Sequence, residues 1–292
     1  NFLLESASGE KFVLKLANAT EERSMLEAQN AAMAHLSTRI DLCPRVIPAK
    51  NGEDILPVES PKGVRHFTRL VTYLPGTPLG DVKRRSPVLL HDLGTKVGLV
   101  DVALQGFDHP ALHRDFHWDL ANGLKIIRQN GDLIIDNQLR EWVKAFAGNF
   151  EKSLAPLLPR LRTSVIHNDA NDYNILVGGG SDLYSHNQSI VGLIDFGDMV
   201  HSYTVSDLAL TIAYAILDQP DPLSIAAQIT RGYHASFPLF EDEITTLFGL
   251  VTLRLCTSVA IAAEQQSRQP ENEYLGVSQG PIRNSLPELM KI

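Results

Sequence analysis

The sequence predicts an α+β fold in which a strand-rich N-terminal part precedes a larger, mostly helical part. Three observations carry this. From Phe2 to Leu74, short apolar runs alternate with turn signals, as in antiparallel hairpins. From Pro87 onward, apolar residues recur at the three- and four-residue spacing of helices. Two apolar runs, around Val165 to Val177 and Ile190 to Ile194, interrupt the helical part as short strands.

Phe2 to Leu4 and Lys11 to Leu16 read as strands joined by the turn Ser6-Ala7-Ser8-Gly9-Glu10. Thr20, ahead of Glu21, Glu22 and Arg23, reads as an N-cap with acid in the first helical turn. Its helix carries Met25, Leu26, Ala28, Ala31, Ala32 and Leu36. Pro44 to Pro61 places short apolar runs around turns at Asn51-Gly52 and Ser60-Pro61-Lys62-Gly63, which predicts hairpins. His66 to Leu74 is the next strand, closed by Pro75-Gly76. Leu89, Leu90, Leu93, Val97 and Val100 then mark a helix. Asp136 opens another, with Leu139, Trp142, Val143, Phe146 and Phe150 inward and Pro156 and Pro159 at its end. Gly178 to Gln188 is a polar hairpin tip. Asp207 begins an apolar helix to Leu217, as an N-cap or with another role. Helices over Leu223 to Ala235 and Glu241 to Gln265 follow, and the tail after Pro270 reads as loops.

Composition narrows the function. The 292 residues, 44% of them hydrophobic, suffice for a sizeable core. A formal charge of −8 and no basic run argue against a nucleic-acid partner. Cys43 and Cys256 stand far apart and read as buried thiols of a reducing, cytoplasmic compartment. Leu247 to Ala263 is the longest apolar stretch. Arg254 interrupts it, so it reads as a core helix and not as a membrane span. Ten histidines without metal-ligand spacing predict no structural zinc. The chain starts without Met in what reads as mid-strand, so an excerpt of a longer protein, open to fusion with further domains, is expected.

The chemistry concentrates at Val165-Ile-His-Asn-Asp-Ala-Asn-Asp-Tyr-Asn-Ile-Leu-Val177. A polar loop between two apolar strands sets reactive side chains on a rigid frame. Asp169 offers a base, Asn174 an amide oxygen and Asp195 a second carboxylate, each at a strand end. That set suits magnesium–nucleotide phosphotransfer. Mg²⁺ takes hard oxygen ligands and usually needs only one or two carboxylates besides phosphates. The attacking hydroxyl needs a carboxylate that orients it and accepts its proton.

His167-x-Asp169-x4-Asn174 followed by Asp195-Phe196-Gly197 resembles the catalytic loop and metal segment of the aminoglycoside phosphotransferase and choline kinase group. The phrases His-Asn-Asp-Ala-Asn-Asp-Tyr-Asn and Asp-Phe-Gly-Asp-Met-Val-His-Ser are most similar to its hydroxylysine kinase-like and homoserine kinase type II-like members. The resemblance runs from Phe12 to the region of Ala263. It implies a two-lobed, protein-kinase-like α+β fold. Residues 1–76 would form a small antiparallel-sheet, nucleotide-binding N-lobe, truncated at its start. Residues 77–292 would form a mostly helical C-lobe with the catalytic loop, metal site and substrate pocket.

The resemblance also implies roles. Asp169 would be the base, and Asn174 and Asp195 would hold Mg²⁺. Lys15 would contact the ATP phosphates, oriented by Glu27. The backbone of Thr72, Tyr73 and Leu74 would meet the adenine edge. His167 would support the loop, and Asp207 would brace it from beneath. Asn168 stands where the group usually has Gly, so the turn must spare it a positive φ or Asn must tolerate one. Trp118-Asp119-Leu120 matches a phrase of the hydroxylysine and homoserine kinase-like members. Asp119 is then a partner for a substrate ammonium, or a helix cap beside a core tryptophan. Arg254 is a structural partner of Asp101, Asp207 or Glu264, or it binds a substrate carboxylate. The implied activity is ATP- and Mg²⁺-dependent phosphorylation of the hydroxyl of a small amino-bearing molecule. Two alternatives are an aminoglycoside-modifying phosphotransferase and a nucleotide-binding pseudokinase or regulatory domain. A protein kinase fits less well, because no Ala-Pro-Glu follows Asp-Phe-Gly.

Overall fold

The computed structural model describes residues 1–180, 187–269 and 279–290. The hairpin tip expected over Gly178 to Gln188 thus falls in part, at residues 181–186, outside the described residues.

The smaller lobe is an antiparallel sheet with one helix. β1 (Phe2–Glu5) and β2 (Lys11–Leu16) form its first hairpin. α1 (Arg23–Ser37) follows, then β3 (Val46–Ile47), β4 (Leu56–Glu59) and β5 (Arg65–Thr72). β5 is the hub: it pairs with β2, β3 and β4, always antiparallel. Register sets Lys15 of β2 opposite Arg69 of β5. Thr20 does not cap α1. The amide of Glu21 donates to Asn18 O at 3.0 Å, which places Thr20 inside a turn, and Glu22 takes the N-cap position without a side-chain bond.

The larger lobe starts with β6 (Thr77–Pro78). α2 (Pro87–Leu104) is capped by Ser86, whose Oγ accepts from Leu89 N at 3.1 Å. α3 (Gly123–Asn130) and α4 (Asn137–Ser153) follow, and Asp136 caps α4 through the amides of Gln138 and Leu139. Four short strands come next: β7 (Thr163–Ile166), β8 (Ile175–Gly178), β9 (Ser189–Leu193) and β10 (Val200–Tyr203). They make two ribbons, β10–β7 and β6–β8–β9. α5 (Val205–Ala215), α6 (Pro222–Ser236), α7 (Glu241–Arg268) and α8 (Gln279–Leu289) complete the lobe.

Two contacts in this helical layer matter for the site. α2 and α6 cross backbone to backbone. A Cβ on Gly94 would lie 1.8 Å from Ile229 O, and one on Gly232 would lie 1.9 Å from His91 O. Only glycine permits that approach, and it brings Asp101 of α2 against Tyr233 of α6. α7 runs through the core. Of its most apolar 18-residue window, 83% is buried, which is the environment of a core helix. The tail is not all loop. Ile282, Leu286 and Leu289 are buried on α8, and that helical spacing outweighs Pro281 and Pro287.

The architecture is a two-lobed α+β fold of protein-kinase type, with antiparallel sheets and a helical majority in the larger lobe.

Candidate active site

The polar loop hangs from two fixed ends. β7 stops at Ile166 against β10, and β8 starts at Ile175 against β9. Asp207, in the first turn of α5, lies below. Its two carboxylate oxygens accept the amides of His167 at 2.8 Å and Asn168 at 2.6 Å. Presenting both amides to one carboxylate turns the chain at Asn168, where φ is 62°. Asn enters this left-handed region more readily than most residues, so it serves where glycine would. The His167 ring is buried, edge-on to Phe196 at 4.7 Å between centroids. Burial pushes its pKa down to about 4, so it stays neutral, and Nδ1 accepts the Asp169 amide at 3.2 Å. It holds the loop in shape.

Asp169 is set by two side-chain amides. Asn171 Nδ2 donates to Oδ1 at 2.8 Å, and Asn174 Nδ2 donates to Oδ2 at 2.6 Å. Burial and the charge of Asp198 push the Asp169 carboxyl up to about 7, against the opposing charge of Arg254. A carboxylate near neutrality is a competent proton acceptor. Asn174 Nδ2 also donates to Asp169 O at 2.9 Å. With its NH₂ thus spent, Asn174 keeps Oδ1 as a free hard acceptor.

Asp195 follows β9 with φ 65°, at the entry to a 3-10 turn over Phe196–Asp198. Lys15 Nζ reaches across from the small lobe to within 2.9 Å of its Oδ1. Burial works against ionisation of Asp195, but the Lys15 charge and hydrogen bond outweigh it and hold the carboxyl below its ordinary value. The oxygen donors of Asn174 and Asp195 fit Mg²⁺ in kind, and nucleotide phosphates would supply the remaining anionic ligands.

Glu27 is not where the resemblance places it. It is exposed and pairs with Arg23 at 2.8 Å one helical turn away, while Lys15 pairs with Asp195. The face of α1 turned to the sheet carries Gln29 and Asn30, both buried. They hold Arg69, whose Nη1 donates to Asn30 Oδ1 at 2.8 Å and whose Nη2 donates to Gln29 Oε1. Burial lowers the Arg69 pKa to about 10, so it remains charged. Lys15, Glu21, Gln29, Arg69, Asp195 and Gly197 line a cavity of about 160 Å³. Two cations thus stand side by side on adjacent strands. Of the expected adenine contacts, the Thr72 and Tyr73 amides are already used, on Arg45 O at 2.9 Å and Lys11 O at 3.2 Å. The Leu74 amide has no such partner among the described residues.

The substrate-side expectations change more. Asp119 is buried and accepts from Ala121 N at 2.9 Å and Ser202 Oγ at 2.5 Å. It is a cap bonded to β10, not a group awaiting an ammonium. Arg254 makes none of the expected ion pairs with Asp101, Asp207 or Glu264, and no described carboxylate lies within 4.0 Å of it. Its guanidinium instead packs 4.5 Å from the Trp118 ring, and Nη1 donates to Trp118 O at 2.9 Å. At 2% exposure it presents no open fork to a ligand carboxylate. It acts through charge, favouring the ionised forms of Asp169, Asp198 and Asp207.

Beneath the loop, Tyr233 OH donates to Asp101 Oδ2 at 2.5 Å, and Asp101 hydrogen-bonds Asp207. Burial and the Asp207 charge raise the Asp101 pKa strongly, so Asp101 carries the proton of this pair. Burial moves Asp207 up to about 6 despite the two amides it accepts. Asp207 thus braces the loop as the resemblance implies. The extension of that brace to Asp101 and Tyr233 had no sequence signature, since each sits on a different element.

This fold and site define a phosphotransferase of the kinase-like kind. Residues 1–243 match the phosphotransferase enzyme family, APH, and the chain belongs to that family. It is a small-molecule kinase. A hydroxylysine kinase of Danio rerio is 32% identical over 289 residues, covering 95% of this chain and 80% of the relative. A microcompartment-associated aminopropanol kinase superposes with a TM-score of 0.74 at 19% identity, covering 98% of this chain and 89% of the other. An amicoumacin kinase, solved with AMP-PNP and Ca²⁺, superposes at 0.70 with 14% identity, covering 98% and 84%. The two structures share the fold.

Proposed function

We propose that this kinase uses ATP and Mg²⁺ to phosphorylate the hydroxyl of a small amino-bearing molecule, a hydroxy amino acid or an amino alcohol. The carrying observation is the placement of Asp169. It is a largely buried carboxylate fixed by two amides, raised to about 7, in the lobe that Lys15 reaches across to at Asp195.

In the proposed reaction Asp169 accepts the hydrogen bond of the acceptor hydroxyl and takes its proton. The hydroxyl oxygen forms the new bond to the γ-phosphorus as the bond to the ADP oxygen breaks. Lys15 leaves Asp195 for the nucleotide phosphates, and Arg69 beside it adds fixed positive charge. Mg²⁺ on Asn174 Oδ1 and Asp195 would neutralise phosphate charge. Arg254 keeps Asp169 ionisable although the group is largely buried. Substrate class is supported by the hydroxylysine kinase relative.

The test is ADP release by the full-length protein with Mg–ATP and 5-hydroxylysine, homoserine, 1-amino-2-propanol, choline or kanamycin. Turnover of a hydroxy amino acid or amino alcohol is expected. Turnover of kanamycin alone refutes the proposal and favours an antibiotic-modifying role.

A further inference from the structure

A cavity of about 570 Å³ opens in the larger lobe between the last turns of α3 and α7. His117, Gln129, Asn130, Glu264, Gln265 and Arg268 line it. Its size lies within the roughly 300–1,000 Å³ of small-molecule sites. The carboxamides supply neutral donors and acceptors, and one acid and one guanidinium supply charge of both signs. Arg268 Nε pairs with Glu264 Oε1 one helical turn away. The pair is uneven, with the Glu264 side chain 22% exposed and the Arg268 side chain 78%. The acid thus sits in the wall and the guanidinium at the rim. As a stability device such a pair contributes little.

One wall of the cavity is tied to the turn that Asp195 opens. The His117 ring stands edge-on to Phe116, 5.0 Å between centroids, and the Arg114 guanidinium lies 4.0 Å over the Phe116 ring. Arg114 Nη2 donates to Gly197 O and to Met199 O, each at 3.0 Å. Asn168 Nδ2 donates to Asp198 O, between those two carbonyls, at 3.2 Å. Asn168 immediately precedes Asp169. The cavity wall and the loop that carries the base are therefore fixed on the same three successive carbonyls.

We propose that this cavity binds the amino-acid head group of the acceptor, with Glu264 on its α-ammonium and Arg268 on its α-carboxylate. This rests on the small amino-bearing substrate proposed above and narrows it to a hydroxy amino acid. A zwitterion satisfies both members of the pair. An anion alone would leave Glu264 beside a like charge, and a cation alone would do the same to Arg268. The planar guanidinium suits a carboxylate, which it can hold through two parallel bonds. The ammonium has three donors, enough for Glu264 and for carboxamide oxygens of the wall. The last turns of two helices add to this preference, because their end carbonyls carry partial negative charge.

The experiment matches each residue to the group it binds. The full-length enzyme, Glu264→Gln and Arg268→Gln are assayed with 5-hydroxylysine and two analogues. One analogue, 1,5-diaminopentan-2-ol, lacks the α-carboxylate, and the other, 6-amino-5-hydroxyhexanoate, lacks the α-ammonium. Homoserine, 3-amino-1-propanol and 4-hydroxybutyrate form the equivalent set for a shorter acceptor. The wild type should prefer the complete amino acid. Each variant should raise KM for it roughly 10-fold, the size of a lost charged hydrogen bond, with kcat little changed. Arg268→Gln should leave KM for the analogue without carboxylate near the wild-type value. Glu264→Gln should do the same for the analogue without α-ammonium. These are ratios within one preparation, so partial misfolding of a variant does not distort them. Equal losses on all three substrates, or losses that do not follow the missing group, overturn the proposal. So does an unchanged KM for the amino acid in both variants. Wild-type turnover of amino alcohols but of no hydroxy amino acid overturns this proposal alone. Failure on both classes overturns the substrate reading, and this proposal with it.

Discussion

Asp101→Asn should cost little stability at pH 7, although Asp101 is fully buried. As a carboxylic acid, Asp101 donates to Asp207 and accepts from Tyr233 at 2.5 Å. Asparagine keeps both bonds, with its NH₂ toward Asp207 and its oxygen toward Tyr233. Asp207→Asn is different. Asp207 accepts amides on both oxygens, at 2.8 and 2.6 Å. Asparagine would set NH₂ against one of those buried N–H groups and leave it unpaired. That costs about 1–3 kcal/mol before any repulsion, a large share of a total near 5–15 kcal/mol. pH adds a second signature. The folded-state pKa of Asp101 is raised, so the native protein keeps a proton that the unfolded chain releases above about pH 4. Unfolding then releases a proton, and wild-type stability falls as pH rises towards the folded-state pKa. The Asp101→Asn chain lacks that proton. Its stability relative to wild type should improve with pH by up to about 1.4 kcal/mol per unit. Urea unfolding of both chains at about pH 5, 6, 7 and 8 measures this. A loss above about 3 kcal/mol at every pH, or a difference that ignores pH, would refute a protonated Asp101.

Further expectations follow from the site. Asp169→Asn should lower kcat by about 100-fold or more while nucleotide still binds, read by steady-state kinetics and calorimetry; near-normal kcat would remove Asp169 as the base. Asp195→Ala should weaken Mg–ATP binding more than Asn174→Ala, because it removes the charged ligand; equal affinities in titration calorimetry would contradict this. Glu27→Ala should leave nucleotide KM unchanged and move stability by about 0.5 kcal/mol or less, since its partner is the exposed Arg23. Arg69→Met should raise the nucleotide KM, and the reverse ranking of these two variants would restore Glu27 to the site.

The loop chemistry was legible because it is local. His167, Asp169 and Asn174 lie within one strand–loop–strand, and their spacing alone places them at the same strand ends. Asp195 sits one strand further on for the same reason. Helices with long apolar periodicity were legible too, since burial of a face imposes its own repeat. Errors arose at boundaries and partners. Thr20 had the chemistry of a cap but not the backbone, because a turn from Asn18 claimed it. α8 was hidden by prolines that its packing tolerates.

Sequence alone therefore determined where the candidate reactive segment lies, which residue types it offers and the α+β order of elements. Which side chains meet across the fold was decided only in three dimensions. Glu27 and Gln29 are two residues apart, yet helical rotation turns one to solvent and the other to Arg69. Asp119 faces Ser202 and Arg254 faces Trp118 because β10 and α7 bring those groups there. Nothing in the local sequence distinguishes the free carboxylate of Asp198 from the paired one of Asp195. The difference is a lysine on a strand of the other lobe, 180 residues away in the chain, that reaches Asp195. Charge pairing between distant segments depends on where folding delivers each group, and single-chain spacing carries no record of it.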